Sequence, residues 1–332
     1  MSKNYIGHPL QTAGVEEYRM IGGKADGMRF YGVRNGSGLE FNISADRCAD
    51  ITRLSFRGYN MSYISPGGYA APSYYDKEEL GFLKSFTCGF LTTCGLNNIG
   101  VPNEDNGEPL GLHGTISHIP AEHIYHTEDD ECIHIHATIR DALIFNQKLI
   151  LHREYTVGKT ENKLTITDTV ENQGSRPEPM MILYHINMGY PLLDEHSLLK
   201  VTSTRVEPRD DRAAEDLDTW HKMQPPEPNF IEQCYYHTFD SKQASAKLYS
   251  PTISKGLSMT FDTTTLPLMT EWKMMGQKDY VLGLEPCNHK LHGRNRVRQE
   301  GALKYIKPGQ KETFKLEFKF YDNQADWEKQ TN

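Results

Sequence analysis

Alternation with a period of two runs through this chain from near its start to its end, and it constrains the fold more than any other feature. Ile133, Ile135, Ala137 and Ile139 alternate with His134, His136, Thr138 and Arg140, and Phe314, Leu316, Phe318 and Phe320 alternate with Thr313, Lys315, Glu317 and Lys319. Leu164, Ile166 and Val170 share a face opposite Lys163, Thr165, Thr167 and Thr169. Successive side chains of an extended strand point to opposite faces, so each run reads as a strand with one face in a core and one toward water. Further strands are expected over 39–43, 51–56, 148–157, 181–187, 198–202, 257–261, 280–284 and 303–307. Asn35-Gly36, Asn106-Gly107 and Pro308-Gly309 supply turn chemistry between them.

Helical pattern is confined to 76–86, 209–217 and a terminal turn over 325–329. Many strands without alternating long helices predict an all-β, mostly antiparallel β-sandwich, not a fold of parallel strands and crossover helices. No Gly/Ser-rich linker, charge block or internal repeat divides the chain. A single domain over 1–332 is expected, with the first ~25 residues as a peripheral extension.

Composition narrows what such a sandwich can bind. Asp and Glu outnumber Lys and Arg by 44 to 36, a formal net charge of −8. A phosphate backbone needs a basic face, which argues against nucleic acid. The dense basic stretch His292-Gly293-Arg294-Asn295-Arg296-Val297-Arg298 reads as a solvated turn, with Arg294 kept as a candidate anion contact. No apolar run approaches the roughly 20 residues that cross a bilayer. The start, Met1-Ser2-Lys3-Asn4-Tyr5-Ile6-Gly7-His8, lacks the apolar segment of a signal peptide. The cytoplasm is therefore the expected location, with no membrane partner. Six scattered cysteines without a C-x-x-C pair fit reduced, buried thiols rather than disulfides or a zinc site.

Three distant segments each carry one good proton-transfer group: Gly111-Leu112-His113-Gly114, Tyr184-His185-Ile186-Asn187, and Gly283-Leu284-Glu285-Pro286. On a strand, Leu183, His185 and Asn187 share a face, so an imidazole and a carboxamide can reach one ligand. Glu285 ends an apolar strand, and Pro286 is expected to stop the ladder there. An ionised acid in apolar surroundings is costly, so Glu285 lies at a strand mouth, is paired, or is functional. Partial burial would raise its pKa toward neutrality, as a general base requires. The plainer readings are a surface His113, a hydrogen-bonded core His185 and a salt-bridged Glu285. Arg47 and Asp50 could contact sugar hydroxyls or pair with each other. His134 and His136 have the spacing of two metal ligands, but they lie opposite an apolar face and are expected to face solvent; no metal site is expected.

Taken in order, Ala45-Asp46-Arg47-Cys48-Ala49-Asp50-Ile51, Gly89-Phe90-Leu91-Thr92-Thr93-Cys94-Gly95-Leu96, the His113 and Glu285 segments, and Leu183-Tyr184-His185-Ile186-Asn187-Met188-Gly189-Tyr190-Pro191-Leu192-Leu193 resemble the galactose mutarotase (aldose 1-epimerase) superfamily, in its less-characterised aldose-1-epimerase-related branch. The resemblance implies a large β-sandwich with a sugar site on a concave sheet face. It implies anomer interconversion in which Glu285 takes the C1 hydroxyl proton, protonated His185 donates to the ring oxygen, and His113 is a second donor. Arg47, Asp50, Asn187, Trp272 and Arg294 are the expected substrate-positioning residues, and no cofactor is required. The expected partner is a monosaccharide or sugar acid; a homodimer is left open. Where galactose mutarotases carry a longer Asn-His-Thr-Tyr-Phe run, this chain has Tyr184-His185-Ile186-Asn187, so the sugar is not specified. The alternatives are another sugar isomerase or lyase on the same scaffold, or a non-catalytic carbohydrate-binding protein.

Overall fold

Three antiparallel sheets dominate the computed structural model, which describes residues 3–329. Eight strands form the largest, in the order Ala121–Glu128, Cys132–Ala142, Lys148–Gly158, Lys163–Asn172, Lys311–Tyr321, Lys255–Asp262, Gln243–Ser250 and Leu198–Val201. Six strands form the second: Arg205–Pro208, Gln233–Thr238, Leu268–Met275, Tyr280–Cys287, Met181–Met188 and Leu91–Leu96. Five form the third, from the edge strand Gly14–Arg19 through Arg29–Arg34, Leu39–Ser44 and Asp50–Phe56 to Tyr59–Asn60. The N-terminal stretch is thus paired into a sheet at its margin. This is the all-β sandwich expected from the alternation.

The long strands obey the two-residue period. Cys132–Ala142 and Lys163–Asn172 bury every second side chain. Ile133, Ile135, Leu164, Ile166, Leu316 and Phe318 of the large sheet join Tyr184, Ile186, Leu282 and Leu284 of the six-stranded sheet in one apolar core. Inside it lies a buried ionic network. Arg153 is held by Asp168 at 2.6 Å and by Asp50 at 2.7 Å, Thr93 donates to Asp50, and Tyr184 donates to Asp168.

Two strands break the pattern in a way that matters for function. All eight residues of Met181–Met188 are buried, as are seven of the eight in Tyr280–Cys287. One face of each packs into the main core. The other meets a second apolar cluster that includes Phe82, Phe86, Cys88, Leu183, Cys287 and Leu291, carried largely by loops laid over the sheet. The strand expected to stop before Pro286 continues to Cys287, because Pro286 pairs with Met269 on one side. On the other side the ladder runs through Leu183–Cys287 and resumes at Ile186–Leu284. It lapses between them, where Pro286 has no N–H to give.

Helix is sparse: Asp211–Glu215, Arg294–Gln299 and Gln324–Lys329 are the α-helices among the described residues. The expected helix over 76–86 shrinks to a 3-10 turn, Gly81–Ser85, because Glu79 adopts a left-handed φ of 46° that cannot enter a right-handed helix. Asp210 caps the 211–215 helix through Ala213 N–H. No helix among the described residues is long and apolar enough to cross a membrane.

Candidate active site

The pairing register brings two of the three proton-transfer groups side by side. Leu183 opposes Cys287 and Asn187 opposes Gly283, so His185 stands across from Glu285 on neighbouring strands. On the far side of His185 the partner is Thr92, and on the far side of Glu285 it is Thr270, which in turn faces Tyr236. Thr92, His185, Glu285, Thr270 and Tyr236 therefore form one row across the sheet, on the face turned away from the main core. A second row runs Asn187, Gly283, Trp272 and Cys234, with Arg209 N–H bonded to the Cys234 carbonyl at its end.

His185 Nε2 lies 3.2 Å from Glu285 Oε1. The distance suits proton transfer, yet the approach angle leaves neither carboxylate oxygen with a formed hydrogen bond. His185 Nδ1 and Asn187 Oδ1 also lack a partner although buried. Four buried polar atoms without a protein partner around one point are unusual in a protein interior and are free to bond water or a polar ligand. Burial, with Glu232 nearby, raises the Glu285 pKa well above that of an ordinary carboxylic acid, while Arg209 opposes the shift. Burial and then His113 lower His185 well below the usual imidazole value. Both groups are consequently driven toward their neutral forms, and the pair holds one proton between them.

His113 arrives from a loop. Its ring centroid is 5.6 Å from that of His185, edge to face. The residue has a left-handed φ of 59°, and its backbone N–H donates to the Gly100 carbonyl. Gly100 N–H in turn donates to His113 Nδ1 at 3.3 Å, which fixes the neutral ring with its proton on Nε2. Burial lowers its pKa to about 4, so at neutral pH it is a hydrogen-bond donor and not a proton donor. Gly114 follows with φ 71° and no room for a side chain, since a Cβ would lie 2.4 Å from the Gly95 carbonyl oxygen.

Trp272 closes one side. Its indole meets the His185 ring at 5.3 Å, nearly perpendicular, and Nε1 donates to Glu232 Oε2 at 2.7 Å. Glu232 pairs with Arg209 at 3.0 Å, and Arg209 also holds Asp210 at 2.8 Å and the Cys234 sulfur at 3.0 Å. Exposure rises along this path. Glu285 is 1% exposed, His185 4% and His113 9%, whereas the side chains of Arg209 and Glu232 keep 28% and 43%. Arg209 and Glu232, linked to the pair through Trp272, are thus its more exposed neighbours. Gly283 has no room for a side chain: a Cβ there would stand 2.6 Å from Glu285 Oε1 and 3.1 Å from Trp272 Cβ.

The profile of a family described as a domain of unknown function, DUF4432, matches residues 25–320. The chain belongs to the DUF4432 family. By sequence, no curated protein matches it. Solved structures show what this DUF4432 protein is similar to in fold. A Klebsiella pneumoniae protein provisionally designated an aldose 1-epimerase superposes with a TM-score of 0.89 at 24% identity, over 95% of this chain and 85% of the other. A galactose mutarotase-like protein from Clostridium acetobutylicum gives 0.67 at 13% identity, over 93% and 99%. A galactose 1-epimerase from Lactobacillus acidophilus gives 0.63 at 13% identity, over 94% and 100%. The chain shares the mutarotase-like β-sandwich fold of these structures.

Of the residues singled out in the sequence, the DUF4432 structure brings Glu285, His185, His113, Asn187 and Trp272 together and leaves three elsewhere. Arg47 is buried, with its guanidinium bonded to the carbonyls of Ser117, Ala70 and Ser85 and facing His118. Asp50 does not pair with it but belongs to the Arg153 network. Arg294 is bound by Asp105 at 2.6 Å and by Glu108, inside the fold rather than on an anion site. His134 lies on the wet face of its strand, as expected, beside Glu154 at 3.2 Å and Asp129 at 3.4 Å. Sequence reading missed Arg209 and Glu232. Neither lies in a distinctive motif; only the cross-strand register from Cys234 to Trp272 places them at the rim.

Proposed function

We propose that this protein is a mutarotase-type isomerase that interconverts the anomers of a free aldose by acid–base ring opening. The observation that supports it is the Glu285–His185 pair, a carboxyl and an imidazole 3.2 Å apart with four unsatisfied polar atoms around them. Opening a pyranose requires a proton to leave the C1 hydroxyl and another to reach the ring oxygen. One proton shared by two groups meets both needs. Transfer from Glu285 to His185 produces the carboxylate that accepts the hydroxyl proton and the imidazolium that protonates the ring oxygen. The C1–O5 bond breaks as C1 becomes an aldehyde, rotation about C1–C2 presents its other face, and the same steps in reverse close the other anomer. Assistance of this kind is worth on the order of 10²–10⁴-fold.

In this reading His113 Nε2–H holds a substrate oxygen by hydrogen bonding and does not share the acid role. Trp272 supports one side of the sugar, and Arg209 with Glu232 meets its hydroxyls at the rim. Arg47 and Arg294, whose guanidinium groups could have held a sugar acid, are both occupied inside the fold. Arg209 is already balanced by Glu232 and Asp210, so the rim's charge favours an uncharged aldose. The test is magnetisation exchange between α and β anomer signals across a panel of free aldoses and sugar acids in deuterated solvent. Faster exchange for an uncharged aldose, with no deuterium entering carbon positions, is expected. No acceleration for any sugar would leave a binding protein, and carbon-bound deuterium would mean an isomerase or lyase that abstracts a C–H proton.

A further inference from the structure

A separate cavity of about 590 Å³ lies away from the proposed sugar site, at the end of the eight-stranded sheet where Leu198–Val201 pairs with Gln243–Ser250. Its walls include Lys200, Lys247, Thr202, Ser245, Trp220 and His221. Lys200 and Lys247 stand directly opposite each other across the two strands. Like charges in that position destabilise a sheet unless something compensates them.

The described residues compensate them only in part, through Trp327. Lys247 is only 3% exposed, and its ammonium makes one hydrogen bond, to the Trp327 carbonyl at 3.2 Å. Lys200 places its ammonium 4.8 Å over the Trp327 ring, and neither lysine has a carboxylate partner among the described residues. Burial and then the charge of Lys200 lower the Lys247 pKa. The Ser245 hydroxyl is buried beside them without a partner. In a chain of net charge −8, two facing lysines lining a cavity with a free hydroxyl and an indole wall are out of keeping with their surroundings.

We propose that this cavity is a second site, which binds a small molecule carrying a phosphate or carboxylate group. Two ammonium groups and the Ser245 hydroxyl supply donors for an oxyanion, and Trp220 supplies a flat apolar wall for an organic body. The volume suits a ligand of small-molecule size.

Thermal unfolding with inorganic phosphate and with glucose 6-phosphate, each matched in ionic strength with potassium chloride, tests the site. A ligand that binds only the folded state raises the midpoint with its concentration. Wild type is expected to gain from both, glucose 6-phosphate more strongly if the indole wall holds the sugar and phosphate equally if the anion alone is recognised. Lys247→Met is expected to unfold at a higher temperature without ligand, because no buried ammonium remains, and to lose on the order of tenfold in affinity for both probes. Lys200→Gln, an exposed position that threatens folding little, is expected to show the same loss. A wild-type midpoint that follows only ionic strength would overturn the proposal. So would both variants keeping wild-type affinity, since binding would then lie elsewhere.

Discussion

Gly283 is the residue on which the placing of Glu285 beside Trp272 turns. A methyl group there must displace either the Glu285 carboxyl or Trp272, and overpacking of this sort costs about 1–3 kcal/mol. Gly283→Ala is expected to lower the unfolding free energy measured in urea by that amount and to slow anomer exchange at least tenfold in protein that remains folded; unchanged exchange would mean Glu285 does not act from its present position. The Glu285–His185 pair also dictates a pH profile. Its one-proton form persists from well below the ordinary histidine range to well above the ordinary carboxyl range. Exchange rates should hold level between those two limits, falling on the acid side as the second proton binds and on the basic side as the last one leaves. A sharp change near the ordinary value of either free side chain would contradict the shared-proton description. His113 titrates separately: burial lowers it from 6.5 to about 4, so the unfolded chain takes up its proton first. Its contribution to stability is complete above 6.5 and is lost as pH falls toward 4, at about 1.4 kcal/mol per pH unit. Urea unfolding of wild type and His113→Asn across that window should show a shallower acid loss in the variant. At this scale the sequence disclosed chemistry but not partners. His185 and Asn187 were placed on one face by alternation alone. Arg47, Asp50 and Arg294 looked like ligand contacts because nothing local reveals Ser117, Arg153 or Asp105 folding back upon them.

Among the elements, strands with one wet face were legible because water imposes the two-residue period; Cys132–Ala142 and Lys163–Asn172 follow it along their length. Met181–Met188 and Tyr280–Cys287 were found but under-read, since burial on both faces removes the polar half of the pattern. Pro286 looked like an ending because a proline cannot donate to a ladder, yet the donor is needed only on one side and its loss coincides with the gap beside His185 and Glu285. The Arg153 network binds Asp50–Phe56, Lys148–Gly158 and Lys163–Asn172 to the Leu91–Leu96 and Met181–Met188 strands that carry the site. Removing the guanidinium leaves two buried carboxylates uncompensated. Arg153→Met is expected to cost about 3–5 kcal/mol in urea unfolding. A loss below 1 kcal/mol, within the range of exposed ion pairs, would show that the network contributes no more than a surface salt bridge.

For the whole molecule, sheet order was beyond the reach of local pattern. The final long strand, Lys311–Tyr321, inserts between Lys163–Asn172 and Lys255–Asp262, and the site sheet joins strands from Leu91 to Cys287. The β-sandwich class follows from alternation, but the meeting of His113, His185 and Glu285 depends on this long-range pairing, for which the ordered family motifs were the sole sequence signal. The same topology gives each major sheet a different task in the proposed scheme, with proton transfer on the six-stranded sheet and anion capture at the end of the eight-stranded one. The central claim rests on the first of these. Its most direct test is the α–β exchange rate of a responsive free aldose, measured by magnetisation transfer with wild type and with Glu285→Gln at equal concentrations, folding being verified by coincident unfolding curves. Glu285→Gln should reduce the enzyme-dependent rate to that of sugar alone; an unchanged rate would show that Glu285 moves no proton in the reaction.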